Sequence, residues 1–189
     1  NGQFVAKWGT EGIADGQFSN PSGLSIDGSG NVYVADSESN RIQKFTSDGQ
    51  FMTKWGNQGT GDGQFNGAAG ISIDVNGNVY VADRKNNRIQ KFTQTGQFID
   101  KWVIEFYPEG IAVDSAYNMY VTNPWGQQIW IYSSTGQSIS AWGPGDNDED
   151  LNQPIGVAAD QSGSILVVDG GHSLIKKFSS NGDFISKIG

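Results

Sequence analysis

Aspartates that recur at a fixed spacing are the first residues of this sequence that could do chemistry. Each ends a short apolar phrase ("GLSID", "GISID", "GIAVD" or "GVAAD"), and they are Asp27, Asp74, Asp114 and Asp160. If their carboxylates gathered around one axis they could bind a hard cation, because such ions prefer clustered oxygen ligands. An aspartate that begins a turn by accepting backbone N–H bonds would give the same pattern. We favour this structural role, since every copy of the phrase carries the residue.

A second set of acidic residues follows nine positions later, at Asp36 and Asp83, and each is followed five positions on by an arginine, Arg41 or Arg88. This spacing predicts a hydrogen-bonded Asp–Arg pair across a turn between two strands. The third copy of the pattern replaces both partners with amide residues. We therefore interpret the pair as structural.

Groups typical of enzymes are scarce. His172 is the only histidine and there is no cysteine, which excludes thiol catalysis, disulfides and zinc sites built from several histidines. Neither a nucleophile elbow nor a phosphate-binding loop occurs. We expect no catalytic residue and no cofactor; the alternative is an enzyme, a lyase or hydrolase that holds a metal in a central channel.

One loop, "GPGDNDEDLNQP", carries alternate aspartates that resemble calcium ligands, namely Asp146, Asp148 and Asp150. It lacks the glycine at the sixth position and the closing glutamate of an EF-hand loop. We favour an acidic solvated loop, with calcium binding as the weaker alternative.

The composition limits the possible partners. The 189 residues carry 12 basic and 20 acidic side chains, a formal net charge of −8, and no apolar run is long enough for a membrane-spanning helix. An acidic surface repels phosphate backbones, so we expect neither nucleic-acid binding nor membrane insertion. The 27 glycines indicate many tight turns.

The whole chain is a repeat. From the recurring Asp to a closing Trp or Ile is 28 residues in all four copies, whereas the segment from one closing residue to the next Asp is 19, 19, 12 or 18 residues. Each copy reads as four short strands, which predicts an all-β, single-domain β-propeller over residues 1–189; a β-sandwich is the less favoured alternative. The predicted blades are approximately 22–56, 69–103, 109–143 and 155–189. A fifth copy of the last strand, residues 2–9, precedes them.

The phrases "GNVYVADSESNRIQKF" and "GNVYVADRKNNRIQKF", each followed by "GQF" and "KWG", resemble the NHL-repeat family of β-propellers. The resemblance covers almost the whole chain and is weakest in the third copy. It implies a propeller of about six blades that serves as a binding platform or sensor domain, and in a few relatives as an enzyme. Four blades and an extra outer strand therefore predict a larger propeller, or one that several copies complete together. Extracellular or cell-surface location is the favoured expectation, and cytoplasmic location is the alternative.

Six tryptophans fall into two groups. Those that close a repeat are predicted to pack between neighbouring blades: Trp8, Trp55, Trp102 and Trp142. Trp125 and Trp130 instead stand where the other copies have mostly polar residues, and the same unit is rich in further aromatic residues. We predict an exposed binding patch formed by Trp125, Trp130, Tyr132, Tyr107 and Phe106.

These observations favour a non-catalytic interaction or structural module. The predicted partner is a protein or a further copy of this chain, and a small molecule or glycan is the alternative ligand. An incomplete propeller would also leave strand edges and apolar faces free for association.

Overall fold

The computed structural model describes residues 3–143 and 150–189, and within them four sheets of four antiparallel strands follow one another along the chain. The first blade comprises β3 (Pro21–Ile26), β4 (Val32–Asp36), β5 (Arg41–Phe45) and β6 (Phe51–Trp55). The second comprises β7 (Ala68–Ile73), β8 (Val79–Asp83), β9 (Arg88–Phe92) and β10 (Phe98–Val103). The third comprises β11 (Ile111–Val113), β12 (Met119–Asn123), β13 (Gln128–Tyr132) and β14 (Ser138–Trp142). The fourth comprises β15 (Pro154–Ala159), β16 (Ile165–Asp169), β17 (Leu174–Phe178) and β18 (Phe184–Ile188).

Each sheet is a meander in which neighbours in sequence are neighbours in space, and the four sheets form the blades of a propeller. The predicted all-β propeller is thus confirmed. A single 3₁₀ turn, Arg84–Asn86, joins β8 to β9, and a two-residue parallel pair, β1 (Thr10–Glu11) with β2 (Gln17–Phe18), precedes the first blade.

The second strand of each blade forms much of the core. In β4 and β8 all five residues of "VYVAD" are buried, because other blades or connecting segments cover both faces of the sheet. The outer strand β14 is largely exposed, whereas β6 alternates half-buried with exposed residues. Between the first two blades, Tyr33, Ile42 and Trp55 pack against Val79, Val81 and Phe92.

The repeat tryptophans pack against a glycine of the following blade. A Cβ built on Gly96 would lie 2.6 Å from the Trp55 ring, so only glycine lets the indole lie against the turn; this residue also has a φ of +83°. The same contact recurs as Trp8 with Gly49, Trp102 with Gly136 and Trp142 with Gly182. The indole rings thereby fix the spacing of neighbouring blades at their outer edge.

The strand predicted over residues 2–9 is not formed: residues 3–9 contain no strand. A strand needs a neighbour for its backbone N–H and C=O groups, and no backbone hydrogen bond joins residues 3–9 to another described segment. Trp8 nevertheless contacts Gly49 and Phe45 of the first blade, in the way that Trp55 contacts the second.

Candidate functional site

The four recurring aspartates at the ends of the inner strands hold their own turns. Asp27 Oδ1 accepts backbone N–H bonds from Ser29 at 3.0 Å and Asn31 at 2.9 Å, and its Oδ2 lies 3.3 Å from Lys44 Nζ. Burial raises the pKa of Asp27, but hydrogen bonds from Asn31 and Ser29, together with Lys44, outweigh it and lower the pKa to about 2. Asp74, Asp114 and Asp160 accept the same two backbone bonds in their own blades.

None of these aspartates lines the central cavity. That cavity, about 370 Å³ in volume, is bounded by the inner strands, and among the described residues that line it only Glu109 has an ionisable side chain. Across residues 3–143 and 150–189, no group of three or more His, Cys, Asp or Glu side chains is arranged to hold a metal ion. Asp146 and Asp148, two of the calcium candidates, lie outside the described residues.

The two Asp–Arg pairs anchor the segments that lead into the first and second blades, and each such segment is here called the connecting loop. Arg41 Nε lies 3.2 Å from Asp36 Oδ2, and both side chains are buried. The Arg41 guanidinium also donates to the carbonyl oxygens of Ile13, Ala14 and Gln17 at 2.7, 3.1 and 2.7 Å. One residue therefore bonds both its own blade and the connecting loop.

The second blade repeats this arrangement. Arg88 Nε lies 2.7 Å from Asp83 Oδ2, and the guanidinium donates to the carbonyl oxygens of Thr60, Gly61 and Gln64 at 2.8 Å each. The sequence spacing could have predicted these bonds to the loop, because the two blades that carry the arginine are also the two in which 19 residues separate the closing Trp from the next Asp.

The third blade has lost the loop and its anchor together. Its segment from closing Trp to Asp is 12 residues rather than 19, and Asn123 and Gln128 replace the Asp–Arg pair. Asn123 Oδ1 accepts a bond from Gly126 N of its own turn at 3.0 Å, whereas Asp83 Oδ1 accepts one from Asn66 N in the connecting loop. An arginine here would have no loop carbonyls to bind.

The fourth blade uses a lysine instead. Lys176 Nζ lies 2.8 Å from Asp169 Oδ2, and it also donates to the carbonyl oxygen of Asp150. His172, the only histidine of the chain, has its Nδ1 2.9 Å from the same Asp169 oxygen. His172 therefore belongs, with Lys176, to a group of side chains that bind Asp169 at the end of β16.

Much of the predicted aromatic patch fills the space that the missing loop would occupy. The Trp130 ring lies 5.9 Å from Phe106 and 6.3 Å from Tyr132, measured between ring centroids. Tyr132 is buried and Trp130 and Phe106 are half-buried, so the prediction that these three residues form an exposed surface is wrong. Burial raises the pKa of Tyr132 to about 12, and the charge of Glu105 adds to the effect.

Two residues of the predicted patch do remain exposed. Trp125 is 76% exposed and Tyr107 is 50% exposed. Both line a hollow of about 620 Å³, here called the aromatic recess, whose lining residues are Asn87, Glu105, Phe106, Tyr107, Asn123, Trp125 and Gly126. Trp125 also borders a second hollow of about 260 Å³ that contains the Arg84–Glu109 ion pair, 3.0 Å between Nε and Oε2. The indole thus stands between two depressions beside the β12–β13 turn.

Comparison with known families matches this architecture. The family described as "NHL repeat" matches residues 18–45, 65–92 and 151–178, which are parts of the first, second and fourth blades. The chain therefore contains three NHL repeats within a β-propeller fold. The third blade, with its shortened segment, lies between the matched stretches.

The solved structures agree with this fold, and one curated relative matches a short part of the sequence. This NHL propeller is 40% identical over 45 residues to the B-box type zinc finger protein ncl-1 of Caenorhabditis elegans, a match that covers 24% of the chain and 5% of that protein. A streptogramin B lyase structure superposes with a TM-score of 0.66 at 20% identity over 87% of this chain and 53% of the other. The WD40 repeats of RRP9 superpose with a TM-score of 0.71 at 11% identity over 93% of this chain and 52% of the other.

A catalytically inactive virginiamycin B lyase from Staphylococcus aureus, solved with quinupristin, also superposes, with a TM-score of 0.69 at 17% identity over 91% of this chain and 57% of that one. The NHL propeller therefore spans little more than half the length of these solved chains. At such identities the similarity establishes the fold alone. No helix in the described part of the chain is long and apolar enough to cross a membrane.

Proposed function

We propose that this NHL propeller is a non-catalytic protein-interaction module, and that the third blade carries its contact surface. The observation that carries the proposal is the exposure of Trp125, a large aromatic side chain that stands between two hollows. Tryptophan and tyrosine dominate the binding energy of many protein interfaces when they fill or border such hollows. NHL and related propellers are generally interaction modules, which supports the same conclusion.

The enzymatic alternative has less support in this chain. Its recurring carboxylates are already bonded to turns, arginines or lysines, and these bonds use the oxygens that a metal would need. The activity of the lyase neighbours belongs to those proteins, and only the fold is shared at their level of identity.

Replacing Trp125 with alanine is expected to lower recovery of the bound partner roughly tenfold or more, as for a hot-spot residue. The measurement is affinity purification of the tagged protein with quantitative mass spectrometry of the partners that it retains. Val75→Ala is the matched control, since Val75 is also strongly exposed but lies in the β7–β8 turn at the opposite end of the strands. Equal recovery with Trp125→Ala and with Val75→Ala would contradict the proposal.

A second candidate function, assembly with further copies, is favoured by the two end faces of the blade array. Ile42 is buried against the second blade, but Ile175 at the same repeat position of the fourth blade is 40% exposed, and Ile188 beside it is also exposed. At the other end Leu24 is 60% exposed, whereas its equivalent Ile71 is buried. We propose that these two faces pair head to tail with those of a second copy. Within the chain, the equivalent faces of neighbouring blades already pack against each other in this way.

Ile175→Asp is expected to shift the protein from an assembly to a monomer, because a carboxylate cannot be buried in that apolar face without a partner. The measurement is molar mass by light scattering over a range of concentrations. Ile139→Asp is the control, since Ile139 is exposed in β14 rather than at an end face. A wild-type protein that stays monomeric at every concentration would rule out self-assembly.

A further inference from the structure

The aromatic recess lies where the first two blades have their connecting loop. In the first blade Asp36 Oδ1 accepts bonds from Ser19 N at 3.0 Å and Asn20 N at 2.9 Å of that loop. The third blade has seven fewer residues there (12 against 19), and within the described residues Asn123 receives no hydrogen bond from the segment before β11. The recess is therefore a place that protein backbone fills in the first two blades.

The recess contains two hydrogen-bond acceptors that have no partner among the described residues. Glu105 forms no ion pair with any described lysine, arginine or histidine. Asn87 Oδ1 is buried and accepts no hydrogen bond, although Asn40 Oδ1 at the same position of the first blade accepts one from Gly67 N at 2.7 Å. A buried acceptor without a donor is costly, so turning the Asn87 side chain toward a ligand in the recess that supplies N–H groups is favoured.

The exposed aromatic rings further limit the chemical class of the ligand. Trp125 and Tyr107 border the recess together with the carboxylate of Glu105. Aromatic faces attract cations, and arginine both stacks on rings and sheds water more readily than lysine does. A guanidinium also carries five donors and no acceptor, which matches a site that offers a carboxylate and an amide oxygen.

The fold itself uses this chemistry in the first two blades. Arg41 and Arg88 each bind one carboxylate and three carbonyl oxygens near the end of the second strand. The third blade supplies no arginine of its own, because Gln128 stands at that position.

We propose that the aromatic recess binds an arginine side chain on an extended segment of a partner protein, with the guanidinium at Glu105 and Asn87 and stacked on Trp125 or Tyr107. This inference rests on the proposed function as an interaction module and names the chemistry that the partner must carry. The net charge of −8 favours the approach of such a basic segment.

The test uses two blocked tripeptides, acetyl-Gly-Arg-Gly-amide and the same peptide with neutral citrulline in place of arginine. Titration is followed by the indole N–H resonance of Trp125 in nitrogen-edited NMR spectra of the whole chain. The arginine peptide is expected to shift this resonance saturably and to bind about fivefold or more tightly than the citrulline peptide. Glu105→Gln is expected to remove that preference, and Glu11→Gln, which changes an exposed acid before the first blade, is expected to leave it intact.

Equal binding of the two peptides, or an arginine preference that survives Glu105→Gln, would overturn the proposal. So would saturation of the same resonance by the neutral sugar maltose without any response to the arginine peptide, which would indicate a glycan site. Failure of the arginine site can be distinguished from failure of the proposed interaction function. Partner recovery that falls with Trp125→Ala but not with Glu105→Gln keeps the interaction module and removes the arginine site.

Discussion

Replacing Arg88 with glutamine is expected to lower the free energy of unfolding by about 3–5 kcal/mol, the usual cost of removing one partner of a buried ion pair. Asp83 would remain buried without its ion-pair partner, and the bonds from Asn66 N, Asn86 Nδ2 and Gln90 Nε2 offset only part of the lost guanidinium. Three loop carbonyl oxygens, those of Thr60, Gly61 and Gln64, would also lose donors, although Gln90 Nε2 still donates to the last of them. Urea denaturation followed by tryptophan fluorescence measures the change.

The control removes a different cation that contacts the same loop, Lys101 of β10. Lys101 pairs with Asp62 on the protein surface, where both side chains are more than a third exposed, so Lys101→Gln is expected to cost less than about 1 kcal/mol. The double change Asp83→Asn with Arg88→Gln reproduces the third blade's residues and is expected to be less harmful than Arg88→Gln alone, since no buried carboxylate is left unpaired. If Arg88→Gln costs no more than Lys101→Gln, then the loop is held by other contacts and the role assigned to the pair is wrong.

The strands of the blades could be predicted because the residue pattern within each repeat determines its local structure. β-formers such as Val79 and Tyr80 lie between turns that carry glycine or asparagine, and the fixed spacing of Asp74 and Trp102 leaves no room for another arrangement. The same reasoning failed at residues 3–9. Their sequence matches a closing strand, but a strand also requires a neighbour, and the sequence of a segment does not say whether one is present.

Side-chain exposure in the third blade could not be predicted for a related reason. The short segment was visible in the spacing, and so was the aromatic Trp130 at a position that is polar in the other blades. Whether Trp130 faces solvent depends on what covers β13, and Phe106 covers it in place of the lost loop. Trp125 stays exposed because it lies in the β12–β13 turn, beyond the reach of that packing. The position of Trp125 in a turn was readable from the sequence, whereas the recess beside it required the structure.

The contacts between inner strands lead to the second large effect, which is expected from Gly70→Ala. Gly70 N donates to Glu109 O of the third blade at 2.7 Å, and a Cβ on Gly70 would lie 2.6 Å from that oxygen and 2.8 Å from Gly110 Cα. These are backbone atoms, so the clash can be relieved only by moving the inner strands of two blades apart. We expect a loss of about 3 kcal/mol, at the upper end of the cost of overpacking, because the hydrogen bond is strained as well.

Gly28→Ala separates this effect from the general cost of changing a glycine. No atom lies within 4 Å of a Cβ at Gly28, so its substitution is expected to change the free energy of unfolding by less than about 0.5 kcal/mol. Amide hydrogen exchange supplies a local readout: in Gly70→Ala the amides of β7 and β11 should exchange faster, while those of β16 should keep their protection. If Gly70→Ala proves as stable as Gly28→Ala, with unchanged exchange in β7 and β11, then close contact between the inner strands is not needed. The tryptophan–glycine contacts at the outer edge would then be sufficient to set the spacing of the blades.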